Sequence, residues 1–308
     1  MAGEAADKVV RAPVAGPREY HLHSIQAIEQ QLDDPQIRGL VKDLGVPPRP
    51  SALVDIQLEL QRDDPRMHVL TQIVSSDVAM SGALLKVANS PWAGLSRRAE
   101  TIQQAFMLLG LVRCEHILTE IALRDALPAS GPALLRFWDV SSKRSHAMAV
   151  LAPRAGLQPS TAQTFGLFAD VGIPLLAQRF KSPSYMETLE AANRSEEAFT
   201  DIEQRRHQTD HTVVGALLSR SWGVSQTIVL AQRLHHDYGV FTAQAPAEVK
   251  SLVALGLVCE HIIQRYAGLN RHGEWAKGGA QAMSHLGMDD EDLQAWCDEL
   301  HDRFAQDV

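Results

Sequence analysis

The stretch MHVLTQIVSSDVAMSGALLKVANS, residues 67–90, decides the fold class. Its apolar positions fall at Met67, Leu70, Ile73 and Val74, then at Met80, Leu84, Val87 and Ala88. Steps of three and four residues place side chains on one face of a helix. No sustained β-branched alternation runs through the segment, so a half-buried strand is disfavoured. Upstream, Ser51 is placed to N-cap a helix whose Leu53, Ile56 and Leu60 share a face and which closes before Asp63-Asp64-Pro65. Downstream, Pro91 and Gly94 end the unit. Thr101 then opens a helix through Ile102, Ala105, Leu108 and Leu109, and Gly110 separates it from another over 112–126.

Further out the same spacing continues. Short helices are predicted over 24–32 and from Asp34 or Pro35 to about 44, ahead of the interrupting Pro47, Pro48 and Pro50. Pro13, Gly16 and Pro17 make the first 20 residues read as a tail. The run Pro128-Ala129-Ser130-Gly131-Pro132 combines both helix breakers and marks a subdomain boundary near 128–133. Beyond it, helices are expected over 134–155, 159–180, from Pro183, over 196–206, 209–222 and 225–236, with Gly223 as a stop. A last pair over 247–266 and 289–304, the latter capped by Asp289 or Asp290, flanks a glycine-rich turn at Gly268, Gly273, Gly278 and Gly279. No repeat of 20–50 residues suggests a solenoid. The expected architecture is all-α.

Composition narrows the function. The 308 residues are 45% hydrophobic and 21% charged, enough for one large or two modest globular domains. Lys plus Arg total 29 against 37 acids, a net charge of −8, and no basic block exceeds Arg97-Arg98 or Arg205-Arg206. A nucleic-acid surface is therefore disfavoured. Cys114, Cys259 and Cys297 form no CxxC spacing, so neither a disulfide framework nor a zinc ribbon is available. With no apolar leader and no long uncharged apolar run, the chain is expected to be cytoplasmic and to make no use of a membrane. GxGxxG after a strand, GxxxxGK[ST], GxSxG and HExxH are all missing. Cys114 and His116 do not face one another along a helix, which speaks against a nucleophile pair, and Trp92, Trp138 and Trp222 read as core or hinge residues.

Thirteen histidines invite a search for a site. His68, His116, His261, His272, His285 and His301 stand apart from ligand-type neighbours and read as surface or core residues. His207 and His211 are four apart and are expected on one helix face, a chelating spacing. Of His235 and His236, side by side on a helix, at most one is expected to join them. Asp170 lies in the apolar run Phe165-Gly166-Leu167-Phe168-Ala169-Asp170-Val171-Gly172 and needs a partner: a metal, an Arg or Lys, or a helix N-terminus.

Several segments fall into a recognisable order. They are Leu44-Gly45-Val46-Pro47-Pro48-Arg49-Pro50, Ile73 to Met80, Leu84-Leu85-Lys86-Val87-Ala88-Asn89-Ser90 with Gly94, Thr101-Ile102-Gln103-Gln104-Ala105, and Leu108-Leu109-Gly110. Phe137-Trp138, Gly166 to Gly172, Asp210-His211 with Gly215, Trp222-Gly223 and His235-His236 follow. Together they resemble the HDOD family of bacterial signalling domains, relatives of the HD metal-dependent phosphohydrolases, over about residues 42–240. The resemblance implies an N-terminal helical subdomain packed on a degenerate HD-like subdomain, preceded by a tail and short helices at 1–41 and followed by helices at 241–308. HD hydrolases hold their metal with a first histidine, a His-Asp pair and a later acid. By the family's spacing these positions are Val140, Ala169-Asp170 and a residue near Glu260, and the usual basic residue after the pair is Ile173. Valine and alanine cannot coordinate an ion.

The resemblance therefore implies no catalytic residue, no cofactor and no bound metal, with Asp170, His207, His211, His235 and His236 as vestiges. The expected function is a non-enzymatic regulatory module binding a signalling protein or a small ligand in a cleft between its subdomains, to which Asn89, Ser90 and Gly94 contribute. Asn89 also suits a plain helix C-cap. A divergent metal-dependent phosphohydrolase acting on nucleotides or cyclic dinucleotides is the alternative. The oligomeric state stays open.

Overall fold

Helix starts follow local capping chemistry. In a computed structural model, which describes residues 25–35, 39, 44–90, 93, 97–127, 132–268 and 273–306, the Asp77 side chain accepts from Met80 N and begins one helix. Thr101 and Gln104 form a capping box for the next, as do Asp289 and Asp292 for the last. Ser51 is not a cap: Pro50 holds that position, and Ser51 is the first helical residue.

The first group of helices is α1 (Ile25–Leu32), α2 (Ser51–Leu60), α3 (Met67–Ser75), α4 (Val78–Ala88), α5 (Ile102–Leu109) and α6 (Leu111–Ala126). The second is α7 (Pro132–Leu151), α8 (Pro159–Phe168), α9 (Gly172–Arg179), α10 (Tyr185–Arg194), α11 (Phe199–His207), α12 (His211–Ser221), α13 (Gln226–Leu234), α14 (Ala247–Tyr266), α15 (Gly273–Leu286) and α16 (Asp290–Ala305). The fold is all-α; among the described residues there is no strand, only an isolated bridge between Lys181 and Ser184. No described helix is long and apolar enough to cross a membrane.

Two apolar cores share the molecule. One joins α2–α6 to Leu134 and Trp138 of α7, the end of α8, and Val214, Leu218 and Trp222. The other centres on α14, whose Leu252, Val253, Leu255, Val258 and Ile262 are buried around the helix, with α1, α7, α12, α13 and α16 packed about it. Trp138 and Trp222 are core residues, while Trp92 lies outside the described residues. So do Gly94, most of the helix expected up to residue 44, and the Pro128–Gly131 stretch of the expected boundary.

Three further sequence expectations need correction. The helix expected over 134–155 stops at Leu151 and tightens into a 3-10 turn over Ala152–Ala155. The helix expected over 159–180 breaks after Phe168 and restarts at Gly172. The glycine-rich turn is largely helix α15: a Cβ at Gly278 would meet the Tyr238 ring at 2.5 Å and one at Gly279 the Trp275 ring at 2.7 Å, so these glycines serve close packing.

Candidate functional site

Two close approaches shape the centre of the second half. A Cβ at Gly166 would stand 2.8 Å from Ser145 Cα, so α8 presses against α7. A Cβ at Gly172 would stand 2.1 Å from the His211 carbonyl oxygen, so the start of α9 lies against the start of α12. Between them the chain turns, and that turn carries Asp170.

Asp170 finds a cation there. Ser141, Arg144, Ser145 and Met148 form the buried face of α7, and Arg144 is 2% exposed. Its Nη1 donates to Asp170 Oδ2 at 2.6 Å and its Nε to the Gly166 carbonyl at 2.9 Å. Burial alone would raise the Asp170 pKa; the Arg144 charge and then the hydrogen bond from His211 hold it well below the usual carboxylate range. Nη2 of Arg144 has no hydrogen-bond partner among the described residues. The Arg144 side chain borders a narrow crevice shared with Glu260, His236 and Tyr238.

The other oxygen of Asp170 meets imidazoles. Oδ1 lies 3.0 Å from His235 Nε2 and 3.4 Å from His211 Nε2, and the two Nε2 atoms are 3.3 Å apart. His235 Nδ1 donates to the Gln232 carbonyl at 2.7 Å. His211 Nδ1 donates to Glu203 at 2.8 Å, and Tyr185 OH donates to the same carboxylate. Burial opposes charging His211, yet Glu203 and then Asp170 hold its pKa up to about 10. His235 goes the other way, pushed down to about 4 by burial and by His236. The extra proton of the pair therefore rests on His211 at neutral pH.

One ligand-type atom from each of Asp170, His211, His235 and His236 lies within 4.8 Å of the others. Both adjacent histidines converge, contrary to the sequence expectation, because α13 ends at Leu234 and the 100° rule lapses beyond it. His236 Nδ1 donates to Glu274 Oε2 at 2.7 Å, and Tyr238 and Lys277 donate to that carboxylate as well. The His236 ring stacks on Phe199.

His207 does not join them. The shared helix face expected for His207 and His211 is not formed: the chain breaks at Gln208, whose φ of 58° is left-handed, and Asp210 caps a new helix. His207 Nε2 instead meets Thr188 Oγ1 at 2.8 Å, with its ring against Phe180 and Tyr185. Glu260 accepts from Gln264 Nε2 at 2.9 Å and is not one of the four. Val140 is half-buried against the second core and Ala169 is 2% exposed. Cys114 is fully buried, and burial pushes its thiol up to about 12, which leaves no nucleophile.

Asn89 serves the fold. Its Nδ2 donates to the carbonyls of Leu85 and Ala99 at 2.9 and 2.8 Å, and its Oδ1 accepts from Ala99 N at 2.8 Å. Ser90 Oγ donates to the Val87 carbonyl.

Sequence reasoning missed Arg144, Glu203, Glu274, Tyr185 and Tyr238. One usable signal was present: Arg144 is the single cation on a face otherwise made of Ser141, Ser145 and Met148. The glutamates lie in ordinary charged helical stretches and gave none.

Residues 46–238 match the family model of the HDOD domain. An uncharacterized protein of Treponema pallidum (strain Nichols) is 23% identical over 231 residues, which cover 74% of this chain and 44% of that one. The uncharacterized protein YuxH of Bacillus subtilis (strain 168) is 27% identical over 112 residues, 36% of this chain and 27% of YuxH. The chain thus spans less than half the length of either relative. Among solved structures, an HDOD domain protein of unknown function from Geobacter sulfurreducens aligns with a TM-score of 0.66 at 22% identity, over 91% of this chain and 98% of that one. A Shewanella amazonensis SB2B protein, provisionally named a phosphohydrolase, gives 0.67 at 20% identity over 89% and 96%. At these identities the likeness speaks to fold.

Proposed function

The chain belongs to the HDOD domain family, and from that membership we propose that it is a cytoplasmic, non-catalytic regulatory module of bacterial signal transduction. It acts by binding a signalling protein or a small ligand. The observation that carries this reading is the Arg144 guanidinium seated on Asp170.

The four convergent side chains contain one carboxylate, and its Oδ2 is taken by a buried cation. A divalent ion on Oδ1 would sit roughly 5 Å from that guanidinium, a repulsion of about 7 kcal/mol at an effective dielectric of about 20. Val140 and Ala169 stand where the family's spacing calls for histidines. The residues therefore do not fit the water-activating ion of an HD hydrolase. Arg144 supplies a permanent charge in its place, and the cluster braces α7, α12, α13 and the α8–α9 turn against each other.

A divergent phosphohydrolase acting on nucleotides or cyclic dinucleotides is the second reading, favoured by the convergence of four ligand-type atoms within 4.8 Å. Metal analysis of the purified protein, with phosphodiesterase and phosphatase assays in added manganese, separates the two. The regulatory reading expects neither stoichiometric metal nor turnover. Metal together with turnover that disappears in Asp170→Ala would replace it with the second.

A further inference from the structure

A regulatory module needs a place where its signal arrives, and Asn89 and Ser90 already hydrogen-bond to the backbone of Ala99 and Val87. A different hollow of about 480 Å³ opens between α2 and α6 on one side and α8 with the α12–α13 turn on the other. That volume lies within the range of small-molecule sites.

Two opposite charges border it. Arg49 lies just before α2 and Glu115 on α6, both half-buried. Each is within electrostatic reach of the other, yet no ion pair closes between them, and neither Glu115 oxygen accepts a hydrogen bond among the described residues. Arg49 is pinned: its Nη1 donates to Gln57 Oε1, and a Cβ at Gly223 would stand 3.5 Å from that nitrogen. Its remaining N–H groups are left to point elsewhere. Trp222 Nε1 donates to the Pro47 carbonyl at 3.0 Å and ties this wall to the α12–α13 turn. Leu53, Leu167 and Ile228 supply an apolar lining.

Both side chains line the cleft and their unpaired polar atoms are not sealed from solvent, so a ligand of matching charge can reach them. A simple anion would satisfy Arg49 and be repelled by Glu115; a simple cation would do the reverse. A dipolar ligand satisfies both at once. We propose that this cleft binds a small zwitterion of amino-acid type, with its carboxylate on Arg49, its ammonium on Glu115 and an apolar side chain against Leu53, Leu167 and Ile228. The walls come from both halves of the chain, so an occupant touches both. The inference rests on the reading of the chain as a binding module and gives that module a ligand class.

Calorimetric titration of the full chain tests it with L-leucine and L-phenylalanine. The comparison compounds are 3-phenylpropanoate, which lacks the ammonium, phenethylamine, which lacks the carboxylate, and guanosine. At least one amino acid is expected to bind, with either truncated analogue weaker by about tenfold or more. Arg49→Gln and Glu115→Gln should each weaken binding by a similar factor, with Arg49→Lys retaining part of it. Silence of both amino acids, equal binding of 3-phenylpropanoate, affinity unmoved by Glu115→Gln, or binding of guanosine alone would each overturn the proposal. The analogue series uses the unaltered protein, so it stands even if a variant fails to fold. Metal-dependent turnover would sink the regulatory reading, whereas silence in this titration sinks only the ligand assignment.

Discussion

Glu203 Oε2 and His211 Nδ1 stand 2.8 Å apart, and neither side chain has any exposed surface. The pair anchors α11 to the first residue of α12, beside the turn that holds Asp170. Its protonation has a direct consequence for stability.

His211 is held up to about 10 against an ordinary 6.5, so its contribution is fully present below 6.5 and is lost as pH rises toward 10. His235, pushed down to about 4, contributes above 6.5 and loses that contribution as pH falls toward 4. Urea midpoints measured from pH 5 to pH 10 should therefore decline on both sides of about 6.5. His211→Gln should flatten the alkaline limb. An alkaline limb of unchanged slope in that variant would show that the proton does not rest on His211.

Breaking the Arg144–Asp170 pair leaves one buried charge without its partner. Arg144→Met should cost about 3–5 kcal/mol in urea unfolding, and Asp170→Asn a comparable amount. The double variant should cost less than the two losses added, by about 1–3 kcal/mol. Strict additivity would mean that the two groups, 2.6 Å apart, are energetically independent.

The glycines that shape the centre should behave unlike an ordinary helical glycine. Gly172→Ala places a methyl against the His211 carbonyl, a backbone atom that cannot swing away, and should destabilise by about 3 kcal/mol or more. Gly82 in α4 has nothing within 4 Å, so Gly82→Ala should stabilise by about 0.5–1 kcal/mol. Thermal or urea unfolding of the two variants compares them, and similar effects would contradict the packing at the α9–α12 contact.

Asn89→Ala removes three hydrogen bonds, two that fasten the end of α4 to Ala99 and one to the Leu85 carbonyl, and should lower stability by about 1–3 kcal/mol. If Asn89 acts only in the fold, ligand binding by the folded variant stays as in the parent protein. A loss of binding at unchanged stability would return Asn89 to the recognition surface.

Most helices were legible because their causes are local. The spacing of Met67, Leu70, Ile73 and Val74 and the capping of Thr101 and Asp289 are written within one or two turns of chain. Where the reading failed, a distant contact had overruled the local signal. The break after Phe168 lets Gly172 lie against His211, and α15 keeps Gly278 and Gly279 because the rings of Tyr238 and Trp275 occupy the space a side chain would need. His207 and His211 share a spacing but not a helix, since Gln208 turns left-handed between them.

The residues in isolation established an all-helical chain and an acid in an apolar run that had to be neutralised; carbon at two positions where a hydrolase would place imidazole was an implication of the family resemblance. They could not say what neutralises Asp170, because Arg144 lies 26 residues away and meets it only when α7 and α8 pack together. Nor could they bring His235 and His236 to one point, or set Arg49 and Glu115 on the same cleft. Helix propensity is summed over neighbours in sequence, whereas charge compensation and cavities depend on distances between segments that only packing creates.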